Sequence, residues 1–166
     1  MAQYILKQYL EEVSDKHLLI KNMKAKTRRE TNSYEYEKIL ASYYLIEVCS
    51  GFEYAVRSLI GELLQSNSSS QSLKSYLLNT RYLTSVQYSK LCGFLKNIDK
   101  NSHRLFKDRQ ASRHLDAMSS LYDNRQRIVH YGESRTVQIT LGDVEQWRKD
   151  AAWVLRKFET VLKQVI

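Results

Sequence analysis

Apolar residues recur at three- and four-residue steps along most of the chain, the spacing that lays one face of a helix on a core. Ile5, Tyr9, Leu10, Val13, His17 and Ile20 form the first such stripe and predict an amphipathic helix of about five turns. "KAKTRRETNS" breaks the pattern. A long second helix is predicted from Tyr34 to about Gln65, through Ile39, Tyr43, Ile46, Phe52, Val56, Leu59 and Leu63. It tolerates Gly51 and stops in the polar tract "SNSSSQS", which reads as a loop. Residues 72–79 and 84–98 read as shorter helices, and "NIDKNSHRLFKDRQ" as a connection.

A further helix is predicted from Ser112 to Tyr131, with Leu115, Met118, Leu121, Tyr122, Ile128 and Val129 on its stripe and Gly132 as its C-terminal cap. Val137, Ile139 and Leu141 alternate, but the run is too short for a sheet. Thr140, followed three residues later by Asp143, reads as an N-cap with an acidic first turn. The last helix starts there and carries Val144, Trp147, Ala151, Val154, Phe158, Val161 and Val165. The expected architecture is an all-α bundle of four to five main helices, a single domain over residues 1–166 without repeats.

Composition agrees with that class. The 166 residues include no proline and 5 glycines, so little punctuates the backbone, and a chain of this length can bury one substantial core. Twelve tyrosines supply rings for packing or for stacking on bases. Cys49 and Cys92 stand apart in apolar surroundings, without C-x-x-C or a histidine at ligand spacing, so neither a disulfide nor a zinc site is expected. A reducing cytoplasm fits. No apolar stretch approaches the length of a membrane span, and "MAQYILKQYLEEVSDK" lacks the core of a secretion signal, so no membrane association is expected.

Charge narrows the choice of partners. The formal net charge is +8, and residues 16–29 hold six basic side chains (Lys16, Lys21, Lys24, Lys26, Arg28, Arg29) and no acidic one. Residues 100–135 hold eight basic against four acidic. A polyanion such as RNA suits two zones of this kind, because each phosphate neutralised releases counterions.

The second zone contains "DNRQRIVHYG", residues 123–132. Arg125 falls one turn after Leu121 and one turn before Val129, on or beside the buried stripe. A guanidinium there requires a partner: a carboxylate across the core, such as Glu53 or Glu47 on the second helix, or a phosphate from outside. His130 lies ~140° further around the helix. The two do not converge on one ideal helix, but would border one cleft if a twofold copy brought the same helix end alongside. At a helix end the imidazolium faces carbonyl dipoles, which suits a general acid or a phosphate contact. His17 reads as a stripe residue; His103 and His114, among basic neighbours, read as solvent-facing.

"LYDNRQRIVHYG" resembles the R-x4-H signature of the HEPN superfamily, an all-α bundle. "YLIEVCSGFEYAVRSLIGEL" resembles its long early helix and "ITLGDVEQWRKDAAWVLRKFETVL" its closing helix, so the resemblance covers roughly residues 34–165. Many members with this signature are metal-independent endoribonucleases that act as homodimers in toxin or antiphage systems. The resemblance implies that Arg125 neutralises the scissile phosphate and that His130 exchanges protons with the 2′-hydroxyl or the leaving oxygen. Gln126, Tyr131 and Glu53 would support that pair, and Arg127 would contact RNA. No metal or other cofactor is implied; RNA, a second copy and an antitoxin or defence-system protein are the implied partners. Gln126 stands where the family usually has Asn, Asp or His, and Gly132 where one toxin branch carries a modified tyrosine. Two further classes fit the same composition: a noncatalytic helical module binding RNA or protein, and a bundle binding a small nucleotide.

Overall fold

A computed structural model describes residues 2–27, 33–66, 86–101, 111–131 and 138–165. The described residues form five helices and no strand: α1 (Ala2–Thr27), α2 (Ser33–Ser66), α3 (Tyr88–Ile98), α4 (Ser112–Tyr131) and α5 (Leu141–Val165). The all-α expectation holds. The short helix at 72–79, the cap at Gly132, His103 and the basic residues Arg28 and Arg29 lie outside the described residues.

α2 is the spine, packed against α1, α4 and α5, while α3 leans on α4 and α5. Tyr44, Phe52, Leu59, Phe94 and Phe158 are fully buried, and the Phe94 and Phe158 rings meet at 6.1 Å. α1 runs antiparallel to α2, as the pairs Tyr9–Tyr54, Val13–Gly51 and Lys16–Glu47 require. No helix among the described residues is long and apolar enough to cross a membrane.

Gly51 explains how closely those two helices meet. A Cβ at this position would sit 2.8 Å from a Val13 methyl, too close for either side chain to remain in place. Glycine inside a helix costs about 1 kcal/mol relative to alanine, and here it permits the crossing. Val13 is β-branched and stiff, so Gly51→Ala overpacks the contact at about 1–3 kcal/mol, more than the propensity it gains. The expected net effect is a loss of about 1 kcal/mol, read as a lower urea midpoint with an unchanged slope.

Three expectations shift. The first helix continues to Thr27, past the point where its apolar stripe fades, because the residues after Ile20 are good helix formers with Leu18, Leu19 and Met23 turned to solvent. The helix expected to start near 84 starts at Tyr88, after Gln87 in an extended N-cap conformation. Ile39 and Tyr43 on α2 and Val129 on α4, all assigned to buried stripes, are exposed at 63%, 55% and 51%. The expected start of the last helix holds. The Asp143 amide donates to Thr140 Oγ1 at 3.1 Å, while Asp143 Oδ2 accepts from the Thr140 amide at 2.9 Å and from its hydroxyl at 2.8 Å.

Candidate active site

Arg125 lies on the seam between α2 and α4. Its Nη1 donates to Glu53 Oε1 at 3.3 Å, so of the second-helix carboxylates named from the sequence Glu53 is the partner. Glu47 is bound instead to Lys16 on α1. The pair is only half satisfied. One nitrogen of the guanidinium engages one carboxylate oxygen, and the buried Nε finds no acceptor among the described residues. Arg125 keeps 28% of its side chain exposed, against 12% for Glu53.

Burial raises the Glu53 carboxyl above the ordinary carboxylate range, and the charges of Arg125 and Arg57 oppose that shift. The ionised form is thus held at some cost, which makes Glu53 a weak clamp on Arg125. Behind the pair, the Tyr122 hydroxyl donates to the Cys49 carbonyl at 3.3 Å, and the Cys49 thiol lies 3.7 Å from the Leu121 carbonyl. Burial pushes both the Tyr122 hydroxyl and the Cys49 thiol far up, so both stay neutral and form the apolar back wall.

His130 is exposed in the last turn of α4, and Gln126 and Arg127 are exposed on the same helix. Tyr131 closes the helix, and its side chain lies outside the described residues. The five-residue step sets Arg125 and His130 ~140° apart on one helix. A single chain does not bring them to a common point by that helix alone.

On α2 the exposed positions one turn to either side of Glu53 are Ser50 and Arg57, and a group of exposed apolar residues lies nearer the start of the helix. Ile39, Ile46 and Glu53 fall at i, i+7 and i+14, within ~40° of one another around the axis. Tyr36, Ile39 and Tyr43 are all exposed. Tyr36, Ile39 and Tyr43 thus form an exposed apolar patch toward the N-terminal end of α2, about 15 Å or more along the axis from Glu53.

The sequence reading missed a second polar cluster where α1, α2 and α5 meet. Arg148, 8% exposed, donates through Nε and Nη2 to the two oxygens of Glu145 at 2.8 and 2.9 Å. The Tyr44 hydroxyl donates to Glu145 Oε2 at 2.7 Å, Lys149 Nζ lies 3.3 Å from Oε1, and His17 Nδ1 lies 3.7 Å from Oε2. Burial pushes the Glu145 carboxyl up, but the hydrogen bonds from Arg148 and Tyr44 and the neighbouring positive charges prevail and hold it at about 2. The available signal was Arg148, a charged residue one turn from Ala151 and Ala152 on the buried face of α5.

His114 also departs from its solvent-facing expectation. It stacks on Trp153 at 4.7 Å with the rings 15° apart, and its Nδ1 lies 3.6 Å from Asp150. Asp150 is held by Arg113 and Gln146. The flat face of Trp153 draws the imidazole out of solvent.

No protein-family model matches the chain, and no curated protein or solved structure is significantly similar to it.

Proposed function

We propose that this protein is a metal-independent endoribonuclease that acts as a twofold pair, with Arg125 and His130 of both copies around one scissile phosphate. The half-satisfied guanidinium of Arg125 carries this reading. It sits at the rim of the α2–α4 seam, held through a single nitrogen by a carboxylate that burial disfavours, so an incoming phosphate competes for it on good terms. The exposed apolar patch of Tyr36, Ile39 and Tyr43 further along α2 suits a second copy, which would supply the groups that one helix holds apart. Resemblance to the R-x4-H motif assigns the chemistry.

In that chemistry the 2′-hydroxyl oxygen of the ribose attacks the adjacent phosphorus, and the bond from phosphorus to the 5′-oxygen of the next nucleotide breaks. The His130 of one copy accepts the hydroxyl proton and the His130 of the other delivers a proton to the departing 5′-oxygen. Arg125 neutralises charge on the phosphate oxygens as the pentacoordinate arrangement forms. The products are a 2′,3′-cyclic phosphate and a 5′-hydroxyl. Gln126 and Tyr131 would orient the pair, Glu53 would position Arg125, and Arg127 would hold flanking RNA.

The test pairs product analysis with oligomeric state. Purified protein with mixed RNA in EDTA is expected to yield cyclic-phosphate ends and to sediment as a dimer. Ile39→Asp, at an exposed position, is expected to yield folded monomer and to lose cleavage. A wild-type protein that cuts no RNA, or one that cuts as a monomer, would overturn the proposal. The Glu53–Arg125 pair also favours a second reading, a noncatalytic RNA-binding module in which the pair is structural; RNA binding without cleavage by the wild type identifies it.

A further inference from the structure

Away from the α2–α4 seam, α1 and α5 diverge around a groove of about 660 Å³, within the range of small-molecule pockets. Leu6, Leu10 and Ala152 give it apolar walls, and Arg148, Lys149 and Arg156 line its α5 side. Ala152 lies one turn from each arginine, so a small side chain separates two guanidiniums on one helix face.

The charges do not cancel. Lys7 and Glu11 on the α1 side offset each other at 3.8 Å, and Glu159 is taken by Lys163 at 2.6 Å. Glu145 offsets one of the two charges of Arg148 and Lys149, and Arg156 pairs with no carboxylate among the described residues. One surplus charge from the first group and one from Arg156 leave an excess of two positive charges facing a partly apolar hollow. Arg148 is also preorganised. Nε and Nη2 are fixed on Glu145, and Nη1 takes no part in that pairing.

We infer that the α1–α5 groove binds a small phosphomonoester with an apolar body, its dianionic head between Arg148, Lys149 and Arg156 and its body against Leu6, Leu10 and Ala152. A fixed arginine flanked by two further cations matches a dianion better than a carboxylate, and the apolar walls favour an ester over the bare ion. The site stands independently of the RNA-cleavage reading.

Phenyl phosphate is the probe, followed by calorimetry and thermal unfolding, with inorganic phosphate and benzoate as comparisons. Phenyl phosphate is expected to raise Tm by a few degrees at about ten times its Kd and to bind more tightly than either comparison. Arg156→Ala, at an exposed position, is expected to weaken it about tenfold or more. A 5′-phosphorylated RNA oligonucleotide set against its 5′-hydroxyl counterpart separates the sources. Discrimination between them that Arg156→Ala abolishes assigns the groove to an RNA end, and its absence, with phenyl phosphate still bound, assigns a free ester. No binding of phenyl phosphate, binding no tighter than that of inorganic phosphate, or wild-type affinity in folded Arg156→Ala would overturn the inference.

Discussion

Arg125→Ala is expected to reduce RNA cleavage by about 10³-fold or more while leaving a folded protein. The loss is large because charge builds on the phosphate oxygens as the 2′-hydroxyl attacks, and a guanidinium already positioned at the seam meets that charge without reorganising. The fold survives because Glu53, left alone, can take up a proton. Burial already favours its neutral form, and removal of Arg125 pushes it further the same way. Arg125→Lys keeps the charge but not the planar fork, so it is expected to restore only part of the activity. His130→Ala is expected to lose cleavage while RNA affinity, which resides in the basic faces, changes little. Gel-based cleavage rates and filter-binding affinities on the same preparations check both statements. Equal cleavage by the wild type and both variants would remove Arg125 and His130 from the chemistry.

Arg148→Met is expected to destabilise the fold by about 2–3 kcal/mol, because it takes both charge-assisted hydrogen bonds from the part-buried Glu145 carboxylate and leaves it only Tyr44, Lys149 and His17. The double variant Arg148→Met/Glu145→Gln is expected to recover part of that loss, since it removes the under-bonded carboxylate together with its partner. The same pair sets an acid limit. Glu145 is held at about 2 against an ordinary 4.5, so its folded form binds a proton less readily than the unfolded chain does. Its contribution, about 3 kcal/mol, is complete above the unfolded value and is lost as pH falls from about 4.5 through 2. Urea midpoints between pH 6 and pH 2, on the order of this window, are expected to fall less steeply in Glu145→Gln than in the wild type.

Helix number and most helix limits were legible because apolar spacing and capping chemistry are local. Thr140 and Asp143 mark the start of α5 in four residues of sequence, and the hydrogen bonds lie where that motif requires them. Exposure was less legible. Ile39 and Tyr43 have the right periodicity for a buried stripe, yet the wide apolar arc of α2 is more than α1, α4 and α5 cover together. Periodicity states that a face is apolar and leaves open what covers it. The partner of Arg125 was half legible. The sequence offered carboxylates of the second helix such as Glu53 or Glu47, and only the packing shows Glu53 against Arg125 and Glu47 against Lys16 on α1. The Glu145 cluster joins residues some 100 positions or more apart, Tyr44 and His17 to Glu145, and no local pattern announces such a pairing.

The unequal burial of the two thiols makes the seam open to direct timing. Cys92 is partly exposed, whereas Cys49 is sealed behind Tyr122 with its thiolate strongly disfavoured. An alkylating reagent will modify Cys92 first and reach Cys49 only when α2 and α4 part. In a Cys92→Ser background, the rate of Cys49 modification therefore becomes a clock for how often the wall behind Arg125 breathes.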